Sequence, residues 1–217
     1  MALIAPSILA ADFENLASEV ENTMECGADI LHMDIMDGHF VPNISYGPKF
    51  VQTVNRLADI PLDAHLMLSN PEEHFDAFIK AEVATIIFHI EVHPNPLDHL
   101  KSLRDKNIKT GLSLNPDHDV SSVLPYLEYC DRLLVMSVFP GFSGQEFMPE
   151  TLSTVEKARK QIDRQDIKTL IAIDGGINRD NAKRVVDAGA DILVMGSAFY
   201  HSDDRKSLID FVHSLHR

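Results

Sequence analysis

Residues 32–40 read HMDIMDGHF, and the reading of this stretch decides the fold. A run this rich in isoleucine and methionine predicts a buried strand. Yet it carries two histidines and two aspartates, and burying a charge is costly unless something pairs with it. Strand alternation resolves the conflict, because every second residue shares a face. Leu31, Met33 and Ile35 then form an apolar side suited to packing under helices, while His32, Asp34 and Met36 point the other way. The run PLDAHLML at 61–68 repeats the arrangement, with Leu62, Ala64, Leu66 and Leu68 on one side and Asp63, His65 and Met67 on the other. In IKTLIAID at 167–174, Asp174 closes a strand whose other face holds Thr169, Ile171 and Ile173.

Working outward, similar short apolar runs lie at 3–9, 29–36, 61–68, 84–90, 108–114, 132–138, 167–174 and 191–197. Amphipathic stretches separate many of them, among them ADFENLASEVENTMECG, PEEHFDAFIKAE, PETLSTVEKARKQID and NRDNAKRVVDAGA. Hydrophobic periods that switch between 2 and 3.6 predict repeated β-α units and a parallel sheet. Eight such units predict an α/β protein, a single (β/α)8 TIM barrel over residues 1–217. The length is near the lower end for that fold, so long insertions are not expected. A doubly wound open sheet is the alternative. Asn70-Pro71-Glu72-Glu73 reads as a helix start with Asn70 as cap. Gly27 and Gly189 stand where helices end before the next strand.

Composition narrows the function classes. Lys and Arg total 19 against 33 Asp and Glu, a formal charge of −14, with no basic run. Nucleic acid and acidic membrane surfaces are therefore poor partners, whereas a small anionic substrate remains compatible. Cys26 and Cys130 lie far apart in sequence, which fits a reduced, cytoplasmic setting better than a disulfide framework. The N-terminus lacks the basic segment of a signal peptide, and no apolar run approaches the roughly 20 residues that cross a bilayer.

Three strands thus bring His32, Asp34, His65 and Asp174 toward one region near their C-terminal ends, the functional face of barrels. Any one alone could be a hydrogen-bonded polar residue lining a core. Together, two imidazoles and two carboxylates form a donor set for one divalent metal, with Zn²⁺ ahead of Fe²⁺, Mn²⁺ and Co²⁺. A metal would also offset the cost of burying both carboxylates.

DGGIN at 174–178 and VMGSAF at 194–199 each end a strand in glycine and turn toward a helix. Backbone N–H groups at such turns bind phosphate without lysine or arginine, which nominates Gly175, Gly176, Gly196 and Ser197; plain tight turns are the alternative. FPGFSGQEF at 139–147 carries Gly141, Phe142, Ser143 and Gly144, and reads either as a mobile loop closing over substrate or as an ordinary connection. HIEVH at 89–93 resembles a second metal site, but the prolines that follow favour a supporting or packing role for His89, Glu91 and His93. Met36, Met67 and Met136 fall on inward faces and suit an apolar wall beside the metal, or simple filler.

The segments APSILAADF, HMDIMDGHFVPN, DAHLML, GLSLNP, PGFSGQEF, DGGIN and ADILVMGSAF together resemble the ribulose-phosphate 3-epimerase family nearly from end to end. The resemblance implies a ribulose-phosphate-binding barrel and a metal-dependent interconversion of D-ribulose 5-phosphate and D-xylulose 5-phosphate in the pentose phosphate pathway. It implies that His32, Asp34, His65 and Asp174 bind the metal, that Asp34 and Asp174 are the acid–base pair, and that Ser7, His65 and Asp174 touch substrate. The PGFSG segment and the two glycine turns match its substrate and phosphate positions. Phe139 and Ser143 depart from the family's Asn-Pro-Gly-Phe-Gly-Gly-Gln pattern. A sister epimerase for D-allulose 6-phosphate is the nearest rival, and DGGIN favours the pentulose enzyme because the sister group tends to carry serine after the first glycine. A decarboxylase would need a catalytic lysine that the inward strand ends lack. A non-catalytic phosphate-binding barrel is the rival from another class. The resemblance also implies a homo-oligomer.

Overall fold

The computed structural model describes residues 1–217. Its strands are β1 (Leu3–Pro6), β2 (Leu31–Met36), β3 (Leu62–Met67), β4 (Thr85–His89), β5 (Lys109–Leu114), β6 (Arg132–Met136), β7 (Leu170–Asp174) and β8 (Ile192–Met195). Each lies inside one of the eight apolar runs. All pair in parallel, in the order β1-β8-β7-β6-β5-β4-β3-β2. Only the seam between β1 and β2 lacks a full ladder. There Ser7 forms a parallel bridge with His32. Asp29 satisfies both backbone groups of Ile4, its Oδ2 accepting the Ile4 N–H at 2.9 Å and its own N–H donating to the Ile4 carbonyl at 3.3 Å. The sheet is a nearly closed (β/α)8 TIM barrel, which sets aside the open doubly wound alternative.

The outer layer comprises α1 (Leu16–Glu25), α2 (Pro48–Leu57), α3 (Phe75–Lys80), α4 (Leu97–Asp105), α5 (Leu152–Gln165), α6 (Arg179–Ala188), α7 (Ser197–Tyr200) and α8 (Arg205–Ser214). Gly27 and Gly189 end α1 and α6 with φ of +97° and +119°, left-handed values that glycine adopts without a Cβ penalty. Two regions differ from the simple repeat. Between β5 and β6 there is no α-helix, only 3-10 turns at Val120–Ser122 and Leu124–Tyr129. Pro125 keeps one helix from running through both turns, because it has no N–H to donate and its ring obstructs the preceding turn. Likewise PEEHFDAFIKAE is not one helix: a 3-10 turn at Pro71–Glu73 precedes α3. Asn70 starts that turn through its carbonyl, which accepts the Glu73 N–H at 3.3 Å, and its side chain makes no capping bond.

The alternation in β2 and β3 holds, and all their residues are buried. Leu31, Met33, Ile35, Leu62, Ala64 and Leu66 join the helices in the main core, as do Ile171 and Ile173 of β7. A second cluster of Ala5, Ile87, Leu134, Ala172, Ile192 and Val194 fills the barrel interior. This aliphatic plug leaves the inward polar side chains to meet near the C-terminal ends of the strands.

Candidate active site

His32, Asp34, His65 and Asp174 converge there, each offering a donor atom within 4.8 Å of the others. His32 Nε2 lies 3.3 Å from Asp34 Oδ1 and 3.9 Å from Asp174 Oδ2. His65 Nδ1 lies 3.1 Å from Asp34 Oδ1 and 3.4 Å from His32 Nε2. The register places them: Asp34 is paired with His65 across β2–β3, and Asp174 ends β7 on the facing wall. His32 and His65 are sealed from solvent, whereas the Asp174 side chain, at 17% exposure, opens toward the mouth.

The cluster polarises itself. Burial alone would depress His32, but the Asp34 carboxylate outweighs it, with help from Asp174, and raises the imidazole to about 9. Burial opposes ionisation of Asp34 too, yet contact with His32 and His65 holds it well below the usual carboxylate range. His65 moves the other way, down to about 3, because burial and its imidazole neighbours outweigh the same carboxylate. The two histidines share one anion, and a proton held on His32 makes a second on His65 unfavourable. Burial and the nearby Asp34 charge push Asp174 up to about 7.

Above the cluster lies a cavity of about 570 Å³. Ser7, Asp34 and Asp174 line its floor, and the Ser7 hydroxyl donates to Asp34 Oδ2. Met36, Met67 and Met136 line its apolar part. Gly175, Gly176, Gly196 and Ser197 border it on the β7–β8 side, and Gly141, Phe142, Ser143 and Gly144 border it on the β6 side. Lysine and arginine are absent from the lining.

The loop after β6 is tied on both flanks. Gln145 Nε2 donates to the carbonyls of Phe139 and Phe142 at 2.7 and 3.0 Å, and Asn43 Nδ2 donates to the Gly141 carbonyl at 2.7 Å. It also rests directly on the β7 turn. Gly176 has φ +64°, and a Cβ there would lie 2.4 Å from the Phe147 backbone nitrogen, so only glycine fits. The two departures from the family pattern are accommodated. Positive φ falls on Gly141 and Gly144 but not on Ser143, so serine needs no left-handed backbone. Phe139 serves the loop through its carbonyl and leaves its ring 49% exposed.

Sequence reasoning missed the supports of β2. Ser45 Oγ donates to the Asp34 carbonyl at 2.6 Å and accepts the Met36 N–H at 3.0 Å. The Asp34 N–H donates to the Tyr46 hydroxyl at 3.0 Å. Burial and the Asp34 charge raise the Tyr46 phenol well above its ordinary value. These bonds replace the ladder that β2 lacks at the seam. The need was readable, since buried backbone groups require partners, but NISYG has no periodicity that names them. In HIEVH, His89 and Glu91 lie behind His65, whereas His93 turns away to Glu72, at 2.6 Å, and His99. HIEVH is therefore not a second metal site.

Comparison with known proteins gives the family. The sequence matches the Ribulose-phosphate 3 epimerase family over residues 3–200. The chain belongs to that family. Ribulose-phosphate 3-epimerase of Mycobacterium bovis is 45% identical over 202 residues, 93% of this chain and 87% of that protein. The Bacillus subtilis protein of the same name is 40% identical over 210 residues, 96% of this chain and 97% of the relative. Among solved structures, a 3-hexulose-6-phosphate synthase superposes with a TM-score of 0.70 at 17% identity, covering 100% of both chains. Phosphoribosylanthranilate isomerase from Thermotoga maritima gives 0.70 at 16%, covering 99% of this chain and 100% of the other. These two distant likenesses carry the barrel fold alone.

Proposed function

We propose that this chain is a metal-dependent epimerase that interconverts D-ribulose 5-phosphate and D-xylulose 5-phosphate. The observation that carries the proposal is the meeting of Asp34 and Asp174, from facing walls, on the floor of one cavity with two imidazoles sealed just beneath it, in a chain of this family. The donor set suits a divalent ion. Ligand atoms about 2.0–2.1 Å from a tetrahedral ion stand about 3.3 Å apart, and the donor separations of 3.1, 3.3, 3.4 and 3.9 Å bracket that spacing. His32, Asp34, His65 and Asp174 would hold it, with Zn²⁺ first among Zn²⁺, Fe²⁺, Mn²⁺ and Co²⁺. When bound, the ion supplies positive charge beside the oxygens of the C2–C3 enediolate and so lowers the barrier to forming it.

The chain's own residues supply the rest. Inverting C3 beside a ketone requires one group to take the C3 proton and another to return a proton to the opposite face. Asp34 on β2 and Asp174 on β7 take these two roles. Ser7, by donating to Asp34 Oδ2, keeps that carboxylate directed. Ser7 and Asp174 contact the sugar; His65, expected beside them, is sealed below the cavity and outside its lining, so its part is in the donor set. Met36, Met67 and Met136 exclude water from the reacting carbons. The phosphate has no lysine or arginine to meet, so the backbone N–H groups of Gly175, Gly176, Gly196 and Ser197 bind it. Gly141, Phe142, Ser143 and Gly144 close over it as a lid. The same reading places the chain in the cytoplasm as a homo-oligomer, and light scattering on the purified protein tests the assembly; no helix is long and apolar enough to cross a membrane.

The test is a comparison of D-ribulose 5-phosphate and D-allulose 6-phosphate as substrates of the purified, metal-analysed protein. The proposal expects kcat/KM to favour the pentulose by at least about tenfold, the scale of a modest pocket discrimination. Equal or reversed preference would make it the hexulose enzyme. Turnover of neither by folded, metal-loaded protein would make it a non-catalytic binder.

A further inference from the structure

His65 faces the cluster with Nδ1, which leaves its Nε2 on the far side. That Nε2 lies 2.9 Å from Nε2 of His89 at the end of β4. His89 Nδ1 in turn lies 3.1 Å from Glu91 Oε2, and Glu91 Oε1 accepts the Asn115 backbone N–H at 2.6 Å. Both imidazoles have zero exposure, their rings stack 5.0 Å apart at 23°, and Phe40 packs 4.6 Å from His89. The Glu91 side chain, at 17% exposure, sits toward the surface with His118 Nδ1 3.8 Å away.

Proton accounting along this line has one solution that leaves His65 able to ligate an ion through Nδ1. At neutral pH Glu91 is a carboxylate and can only accept, so His89 must present an N–H at Nδ1. A neutral His89 then has its lone pair at Nε2, and the 2.9 Å contact is a hydrogen bond only if His65 donates from Nε2. Neutral His65 with its proton on Nε2 has a bare lone pair at Nδ1. That lone pair faces Asp34 Oδ1 at 3.1 Å, two acceptors that a cation between them reconciles. The opposite proton order points an N–H of His65 at Asp34, leaves no lone pair for an ion, and needs a second proton on His89 to satisfy Glu91.

We propose that Glu91 is a positioning residue that, acting through His89, fixes His65 as the Nε2–H tautomer and so turns its Nδ1 lone pair toward Asp34, His32 and Asp174 for a divalent ion. The inference rests on the metal reading above and deepens it. Metal-binding histidines commonly donate their other N–H directly to a carboxylate; here a second imidazole is interposed, which carries the carboxylate's influence from the surface loop after β4 to the interior of β3.

The test uses Glu91→Gln, which keeps the size of the side chain and removes the guaranteed acceptor. Its amide can turn an N–H toward His89 Nδ1, which inverts the proton order along the line. Zn²⁺ affinity, measured by chelator competition on metal-stripped protein, is expected to fall about 10–100-fold, with kcat recovering at saturating Zn²⁺. In parallel, ¹⁵N NMR of the Zn²⁺-loaded wild-type imidazoles at neutral pH is expected to place the His65 proton on Nε2 and the His89 proton on Nδ1. Zn²⁺ affinity of the variant within twofold of wild type, or a Zn²⁺-loaded wild type with the His65 proton on Nδ1 or the His89 proton on Nε2, overturns the inference. If Glu91→Gln does not fold, the wild-type NMR result decides alone. Wild-type protein that binds no Zn²⁺ at all would sink the metal reading and the inference with it, whereas Zn²⁺ binding that Glu91→Gln leaves unchanged would sink the inference alone.

Discussion

Two groups of buried ionisable side chains lie inside this barrel, one near each end, and they solve the burial of charge differently. Toward the N-terminal end, Asp63 of β3 and Arg132 of β6 form a one-to-one pair at 3.5 Å, each less than 10% exposed. Toward the C-terminal end, two carboxylates and two imidazoles crowd together with no lysine or arginine among them, beneath an open cavity. The lower pair balances its own charge and touches nothing that could react. The upper group concentrates negative charge and lone pairs on a shared space. On one strand, Asp63 and His65 belong to different groups because they lie two residues apart on the same face. Polarity inside a barrel is thus no sign of function by itself; what distinguishes the site is an uncompensated set of donors facing a cavity.

That contrast is broken most severely at the upper group. Asp34→Asn or Asp174→Asn should cut turnover by about 10²–10⁴-fold, the usual scale for removing an acid–base group, and leave the circular dichroism spectrum native. Substantial activity in either variant would overturn the two-base assignment. Next, His32→Ala and His65→Ala should each lose bound metal in elemental analysis, and stoichiometric metal retained in both would refute the donor set. The lower pair should behave in the opposite way. Arg132→Met strands the Asp63 carboxylate and should destabilise the fold by about 3–5 kcal/mol, read as a lowered urea midpoint, with kcat/KM of the remaining folded protein unchanged. A fall in kcat/KM at constant stability would mean that the two groups are coupled. The smallest effect is expected at the rim, where Asn43→Ala removes the bond to the Gly141 carbonyl. One such bond contributes about 0.5–1.5 kcal/mol, so KM should rise about 2–10-fold with kcat little changed; an unaltered KM would show that the loop needs no tie to the β2 side.

The eight strands and the four clustered side chains were legible because both follow from one local rule. Alternation sets Leu31, Met33 and Ile35 against His32 and Asp34, and the parallel register then carries Asp34 beside His65. What alternation cannot reach is the loops. Ser45 and Tyr46 support β2 because the β1–β2 seam leaves its backbone unpaired, a fact of closure rather than of sequence pattern. Asn70 looked like a side-chain cap, yet Pro71–Glu73 forms a tighter turn that uses its carbonyl instead. Pro125 gave a local reason for the missing helix between β5 and β6, but apolar periodicity alone did not weigh it. The relay from His65 through His89 to Glu91 was visible only as an odd alternation in HIEVH, since its sense depends on which ring nitrogens meet.

The most direct test of the central claim, that Asp34 and Asp174 invert C3 by exchanging protons with solvent, is NMR of the metal-loaded protein with D-ribulose 5-phosphate in D₂O. The account predicts D-xylulose 5-phosphate carrying deuterium at C3, formed by the wild type and by neither asparagine variant. Xylulose 5-phosphate that retains the original C3 proton throughout, or no exchange at all from folded, metal-loaded wild-type protein, would contradict it.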